Sequence, residues 1–387
     1  MKNASPLLAA ICCMASCLSV DAQQAPVKLL RAPDGGLQPQ AVVDAQGALH
    51  VVYLKNAPEA CDVFYARRAP GATNFSKPLR VNSEPGSGIA IGTIRGTQLA
   101  LGRHGLVHVA WNGSGIPKSE RGSPMLYSRL NEERTAFEPQ RNLMTSTMNL
   151  DGGGSVAADD AGNVFVLWHA ASVDGLKGEQ HRAVFMARST DDGKTFTAER
   201  RINPTSTGAC GCCGLKGFAD PRGSLAVLYR AAGGGLDRDA TLLVSQDHGA
   251  TFKSTVVGPL KLGTCPMSSM DLAPGAGGSL LAMWEKDGQV YETAIVPQTL
   301  EFTPPAAPGG KGAGRKHPVI VLASAAGISR QLMAWTEGTG WKKGGVLAWE
   351  MTELKDGTKV TGRASGVPVW SRITAVAEAD GTFTIVY

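Results

Sequence analysis

The chain has 387 residues and a net charge of +5, and its 48 glycines suit a fold with many tight turns. Lysine and arginine are scattered along the sequence, without a basic block or interleaved aromatic residues, so nucleic acid is not an expected partner. Beyond the N-terminus, no segment has the apolar length that a membrane-spanning helix needs. The length suits one large all-β domain or two ordinary domains.

The first 22 residues read as a secretory signal peptide. Lys2 precedes an apolar run from Leu7 to Val20, and Ala22 ends a small-residue cleavage sequence. A lipoprotein signal is the alternative, because small residues precede Cys17 as they do in a lipobox, although methionine stands where leucine is usual. Both interpretations place the mature chain outside the cytoplasm, periplasmic or secreted, and the second adds a lipid anchor at Cys17.

From residue 41 onward one pattern recurs, an apolar strand, a turn with glycine and a second apolar strand that ends in an aromatic residue. The segments with this pattern are Ala41–Tyr53, Gln98–Trp111, Ser155–Trp168, Gly217–Tyr229, Met270–Trp284, Val319–Trp335 and Ile373–Tyr387. Apolar residues alternate within them, which is the period of a β-strand. The segments recur every 45 to 65 residues or so, the size of a four-stranded blade. Each would be the inner strand pair of one blade of a β-propeller.

Two segments share the spelling S-x-D-x-G-x-T-F, namely Ser189–Phe196 and Ser245–Phe252. The aspartate can accept hydrogen bonds from backbone amides ahead of it, the glycine can take a positive φ, and the phenylalanine can pack beneath the turn. The spelling therefore predicts a hairpin between the two outer strands of a blade. Segments 67–75 and 128–137 are degenerate turns at the same place in the first two blades. Asp191 and Asp247 are expected to be structural.

This motif resembles the Asp-box, or BNR, repeat of the sialidase superfamily. The sequence thus predicts an all-β fold, a sialidase-like β-propeller of six or seven four-stranded blades, since the repeats indicate seven and sialidases have six. Residues 23–387 would form a single propeller domain, with the proline-rich segment 303–314 as a surface loop within it. Residues 27–32 could add an outer strand to the last blade and close the ring, which removes free sheet edges.

Propeller geometry places two kinds of segment on one face around the central channel. They are the segments that lead into each first strand and those that join the inner pair to the outer pair. Loops held by a rigid scaffold are where binding residues tend to lie. The candidate catalytic carboxylates in these segments are Asp151, Glu285 and Glu337. The candidate substrate-binding side chains are Gln40, Arg95, His317 and Arg372.

Five cysteines lie outside the signal, namely Cys61, Cys210, Cys212, Cys213 and Cys265. In an oxidising compartment some of them should be paired. A disulfide could join Cys265 to one of Cys210, Cys212 and Cys213, or a vicinal bond could join Cys212 to Cys213, and Cys61 would be free and buried. The alternative is a soft-metal site, in which these thiolates with Met267 and His317 would suit copper(I) or zinc. No other cofactor is expected.

The resemblance also implies an activity. In sialidases three arginines bind the substrate carboxylate, a tyrosine paired with a glutamate is the nucleophile, and an aspartate is the acid/base. The place of the first arginine reads Gly36-Leu-Gln-Pro39, and no tyrosine matches the nucleophile's context. Two functions follow. One is a sialidase-like exo-glycosidase of anionic sugars, and the other is a non-catalytic propeller that binds a glycan, a protein partner or a metal. A monomer with a carbohydrate or glycoconjugate partner is expected.

Overall fold

The computed structural model describes Met1 and residues 26–116, 120–172, 175–221, 223–262, 266–310, 314–325 and 327–387. The predicted signal peptide, Cys17 and Cys265 lie outside these residues. The described chain is built from 28 β-strands and four short 3-10 turns, Pro33–Gly35, Arg103–Gly105, Glu179–His181 and Ala276–Gly278. Within it, no helix has the length and hydropathy to cross a membrane.

The strands form seven sheets in chain order, which are the blades of the propeller. The strand that precedes the first blade is β1 (Val27–Leu30). Blade 1 contains β2 (Leu37–Val43), β3 (Leu49–Lys55), β4 (Asp62–Arg68) and β5 (Leu79–Arg80). Blade 2 contains β6 (Gln98–Leu101), β7 (Val107–Asn112), β8 (Met125–Arg129) and β9 (Arg141–Asn142). Blade 3 contains β10 (Thr147–Met148), β11 (Ser155–Ala158), β12 (Val164–Ser172), β13 (Ala183–Ser189) and β14 (Arg200–Arg201).

The remaining strands continue the same order. Blade 4 contains β15 (Gly208–Ala209), β16 (Lys216–Ala219), β17 (Leu225–Ala232), β18 (Ala240–Ser245) and β19 (Lys253–Gly258). Blade 5 contains β20 (Asp271–Pro274), β21 (Leu280–Lys286) and β22 (Gln289–Ile295). Blade 6 contains β23 (Arg315–Ala325), β24 (Ile328–Glu337), β25 (Gly345–Glu353) and β26 (Lys359–Val367). Blade 7 contains β27 (Thr374–Ala377) and β28 (Phe383–Val386).

The predicted propeller is confirmed, with seven blades rather than six. All seven predicted inner pairs are antiparallel pairs in the structure, from β2–β3 to β27–β28. Blades 5 and 7 depart from the four-stranded prediction with three strands each, and beyond β22 of blade 5 only the isolated bridges Ile295–Phe302 and Glu292–Ala306 are formed in the described chain. The second bridge involves the proline-rich segment 303–314, to which Ala306 belongs.

The ring closes as predicted, by pairing the two ends of the chain. Strand β1 lies parallel to β28, with Val27 opposite Phe383 and Leu30 opposite Val386. The N-terminal segment therefore supplies the third strand of blade 7 and covers an edge that would otherwise be free.

The core lies between successive blades. Six of the seven predicted aromatic residues at the ends of second strands are buried there, namely Tyr53, Trp111, Trp168, Tyr229, Trp284 and Trp335, and the seventh, Tyr387, is half-buried. A large ring at this position packs one sheet against the next, so the recurring aromatic residue in the sequence reports a recurring contact between blades.

Both predicted Asp-box hairpins form. The Asp191 carboxylate accepts the Thr195 hydroxyl and amide at 2.6 and 2.9 Å, and the Ser189 hydroxyl at 2.7 Å. Gly193 takes a φ of 76°. The amide of Asp192 donates to Gly162, in the turn between β11 and β12, so the hairpin lies at the same end as the first turn of its blade. We call this end the lower face and the opposite end, where each first strand begins, the upper face.

Candidate functional site

The upper face is formed by the segments that lead into the first strand of each blade, which we call the leading segments. They contact one another around the channel. The side-chain amide of Gln38 donates to the carbonyls of Ala90 and Trp370 at 2.5 and 2.9 Å, which joins the leading segment of blade 1 to those of blades 2 and 7. The amide of Gly214 donates to Ser268 at 3.1 Å, which joins blades 4 and 5. The face is thus one connected structure.

Left-handed backbone recurs in these segments and at the start of the strands that follow them. Residues other than glycine that have positive φ here include Gln38, Thr93, Asn149, Met267, His317 and Trp370. Each such residue costs about 1 to 2 kcal/mol relative to ordinary backbone, and strain of this kind tends to gather at functional sites. The tertiary contacts between the leading segments therefore hold conformations that local sequence does not favour.

Glycines allow the close approach of these segments. A Cβ atom on Gly153 would lie 2.1 Å from the carbonyl oxygen of Ile94, and one on Gly152 would lie 2.5 Å from that of Gly211. A Cβ on Gly96 would lie 2.7 Å from Gln38 Oε1. The run of glycines after Asp151 is therefore explained by packing of blades 2, 3 and 4 against each other.

The structure brings together two of the predicted site residues, Arg95 and Asp151. Arg95 donates from Nη2 to the Asp151 carboxylate and from Nε to its carbonyl oxygen, both at 2.6 Å. Asn112 holds the same segment by donating to the carbonyl of Gly152 at 2.7 Å. The side chains of Arg95 and Asp151 are 24 % and 41 % exposed, so both remain accessible on the upper face.

The other two predicted carboxylates are buried and paired with arginines. The side chains of Glu285 and Arg230 are 3 % and 1 % exposed and lie 3.6 Å apart, and burial raises the pKa of Glu285. Glu337 contacts Arg363 at 2.6 Å and Arg315 at 3.4 Å. The positions of Glu285 and Glu337 suit the joining of strands better than reaction with a bound sugar.

Two predicted binding residues, His317 and Gln40, make internal contacts. The Nδ1 atom of His317 accepts from the amide of Ser269 at 3.4 Å, and burial lowers the pKa of His317 to about 3. Gln40 accepts the amide of Leu99 at 2.5 Å, which joins blade 1 to blade 2. The imidazole is therefore neutral and packed beneath the surface.

The central channel has a volume of about 460 Å³ and is lined by the first strands of all seven blades. Arg372 and Gln40 line it, as do Lys216 and Asp271, which begin β16 and β20. The Lys216 ammonium lies 3.6 Å from the Asp271 carboxylate. Arg372 therefore belongs to a polar group within the channel and does not share the Asp151 carboxylate with Arg95.

The cysteines of blade 4 lie close together. The sulfur atoms of Cys210, Cys212 and Cys213 are within 4.8 Å of one another, and those of Cys210 and Cys212 are 3.3 Å apart. Cys210 and Cys213 are free and buried, as is Cys61, which confirms the prediction for Cys61. The vicinal Cys212–Cys213 alternative is wrong, as are disulfides from Cys265 to Cys210 or Cys213, because Cys210 and Cys213 are free thiols. Cys212 does have a partner, and the Cys265–Cys212 disulfide and the metal site stay predictions, since Cys265 lies outside the described residues.

The sequence analysis did not single out Trp341, which is 60 % exposed on the upper face. Its ring contacts that of Trp370 edge-on, with 4.8 Å between the centroids. Both rings border a depression of about 30 Å³ that Thr93 and Lys316 also line. The signal available in the sequence was a lone tryptophan in the glycine-rich and lysine-rich segment 338–344.

Known structures with this architecture include several that act on acidic glycans. The chain superimposes on the Hadza microbial sialidase Hz136 with a TM-score of 0.52 and 13 % identity, over 85 % of this chain and 74 % of that one. It superimposes on a leech intramolecular trans-sialidase with a TM-score of 0.50 and 10 % identity, over 92 % and 86 % of the chains. It superimposes on an ulvan lyase bound to a GlcA–Rha3S glycan with a TM-score of 0.51 and 12 % identity, over 88 % of each chain.

These similarities show a sialidase-like propeller fold, as the Asp-box motif predicted. No protein-family model and no curated protein sequence matches this chain.

Proposed function

We propose that this chain is a non-catalytic propeller that binds an acidic glycan on its upper face, with Trp341 as the main contact. The observation that carries the proposal is the exposed indole beside a depression lined by Lys316. An exposed indole offers a flat apolar surface with a polar N–H at its edge, on which the apolar face of a pyranose ring can stack. Trp370 holds the Trp341 ring at a fixed angle.

The charges around the ring favour an acidic sugar over a neutral one. Lys342 and Lys343 follow Trp341 directly and are exposed. Gly92 borders the same depression, and a Cβ on it would lie 4.0 Å from the guanidinium of Arg95. Ammonium and guanidinium groups bind carboxylates and sulfates by charge-assisted hydrogen bonds. Structural neighbours that act on sialic acid or uronate glycans are consistent with this class of ligand.

The same geometry is unfavourable for cleavage of a glycosidic bond. Acid/base catalysis needs an accessible carboxyl group that reaches the glycosidic oxygen, and Glu285 and Glu337 are 2 % and 8 % exposed. Asp151 is accessible but bound to Arg95. The Tyr53 hydroxyl lies at the upper end of its blade, but the side chain is completely buried and cannot attack a sugar bound on the upper face.

The test is calorimetric titration with 3′-sialyllactose and with a glucuronate oligosaccharide, with lactose as the neutral comparison. We expect an acidic glycan to bind and Trp341→Ala to weaken it at least about 10-fold, or roughly 1.4 kcal/mol. Trp341→Phe should retain most of the affinity. Leu354→Ala removes an exposed apolar side chain elsewhere and should leave the glycan affinity unchanged. Equal affinity of wild type and Trp341→Ala would refute the proposal. Turnover of a fluorogenic sialoside, or formation of an unsaturated uronate, would show that the protein is an enzyme.

A further inference from the structure

The upper end of the central channel carries an unbalanced set of half-buried charges. Lys216 and Asp271 stand at the first positions of β16 and β20, and Arg372 lies two residues before β27, the first strand of blade 7. All three line the channel. Two cations thus face one carboxylate, and the group has a net charge of +1.

The carboxylate of Asp271 already has two partners. Its Oδ2 atom accepts the amide of Ile320 at 3.0 Å, and its Oδ1 atom lies 3.6 Å from the Lys216 ammonium. Arg372 donates no hydrogen bond to any residue that the structure describes, and its Nε atom is completely buried without an acceptor. A guanidinium has five N–H donors, and buried polar groups in proteins are rarely left without partners.

The environment opposes both positive charges. Burial lowers the pKa of Arg372 to about 10, although the Asp271 carboxylate acts in the opposite direction. Burial also lowers the pKa of Lys216. A buried charge that lacks compensation is costly, so a bound anion would stabilise the folded protein.

The walls of the channel define what kind of anion fits. Below the charged group the channel is lined by aliphatic side chains near the ends of the first strands, including Val43, Leu101, Ala158 and Leu322. On its other side Arg372 lies against the leading segment of blade 2, because a Cβ on Gly96 would lie 3.2 Å from Arg372 Nη2. The volume of about 460 Å³ is in the range of small-molecule sites. An inorganic anion would fill only the charged end of the channel and leave its aliphatic walls in contact with water.

We propose that the channel binds one small organic carboxylate, with its carboxylate on Arg372 and Lys216 and its apolar body along the aliphatic walls below. This site lies inside the ring and is separate from the glycan surface at Trp341. The carboxylate oxygens would take the donors of Arg372 in a bidentate pair and balance the net charge of the group.

The experiment measures binding of butyrate to the full-length protein by calorimetry and by the rise in melting temperature with ligand concentration. Butyramide has the same shape without the charge, and sulfate has charge without an apolar body. We expect butyrate to bind more tightly than either. Sulfate that binds as tightly as butyrate, or butyramide that does so, would overturn the proposal.

Variants locate the site. Arg372→Gln should weaken butyrate at least about 10-fold, and Lys216→Met should weaken it by a smaller factor. Because Arg372 has no acceptor, Arg372→Gln without ligand should melt no lower than wild type, which a purely structural arginine would not allow. Arg80→Gln, an exposed arginine on β5, and Trp341→Ala should leave butyrate binding unchanged. Undiminished binding to both channel variants would refute the assignment.

Discussion

The two faces of this propeller are stabilised in different ways. On the lower face, Asp247 accepts the Thr251 hydroxyl at 2.6 Å, and Asp191 accepts that of Thr195 at the same distance. The hydrogen bonds to each of these carboxylates come from within the eight residues of its own hairpin. On the upper face the contacts join residues of different blades, as between Arg95 and Asp151 or Gln38 and Trp370. The Asp-box carboxylates therefore stabilise the lower face through local, repeated contacts, whereas the upper-face contacts depend on the whole ring.

This difference predicts that upper-face substitutions cost more and couple to each other. The largest effect is expected from Arg230→Met, which leaves the buried Glu285 carboxylate without its cation. Removal of one partner of a buried ion pair typically costs about 3 to 5 kcal/mol. The free energy of unfolding from urea titration measures the loss.

The double variant Arg230→Met/Glu285→Leu sharpens this test. Replacement of both partners removes the uncompensated charge, so at least half of the lost stability should return. Arg238→Met is the control, since Arg238 contacts only nearby carbonyl groups at the surface. A loss below about 1 kcal/mol in Arg230→Met would show that the pair does not join blades 4 and 5 as the structure indicates.

The same contrast explains which features could be predicted from the sequence. The inner strand pairs were predictable because their pattern is local and occurs seven times. That pattern is the alternation of apolar residues with an aromatic residue at the end of the second strand, as at Tyr53. The Asp-box was predictable because all its partners lie in one short segment. The pairing of Arg95 with Asp151 was not, because it spans 56 residues and depends on blades 2 and 3 packing side by side. Trp341 was missed because its exposure is a property of the assembled face.

A second prediction concerns the close approach of leading segments. Gly153→Ala places a methyl group against the Ile94 carbonyl, which is backbone and cannot move aside by a rotamer change. We expect a loss of about 1 to 3 kcal/mol in unfolding free energy, typical of overpacking. Glycan affinity should fall as well, because the segment that holds Arg95 and Asp151 shifts.

The matched control is Gly234→Ala, where a Cβ meets nothing within 4 Å. That variant should be as stable as wild type or slightly more stable, since alanine restricts the unfolded chain. If both variants behave alike, the glycines at Asp151 serve chain flexibility rather than packing.

The smallest effects are expected on the lower face. The hydroxyl and amide of Thr251, with the Ser245 hydroxyl, hold the pKa of Asp247 well below its usual range. A depressed pKa in the folded state means that the carboxylate stabilises the fold above its unfolded pKa of about 3.9, and that this contribution is lost as pH falls further. Asp247→Ala should therefore cost about 1 to 2 kcal/mol at pH 7 and less at pH 2, measured as the difference in urea midpoint from wild type.

Asp191→Ala should give a similar loss, and the two losses should add to within about 0.5 kcal/mol in the double variant, since the hairpins share no contact. Glycan affinity should be the same in all three proteins. Additivity here, together with the strong coupling expected between Arg230 and Glu285, would show that the two Asp-box carboxylates act independently while the upper-face pair does not. Coupling between the two Asp-boxes would contradict that division, because it would mean that strain at one turn is transmitted through β18 and β13 to the other.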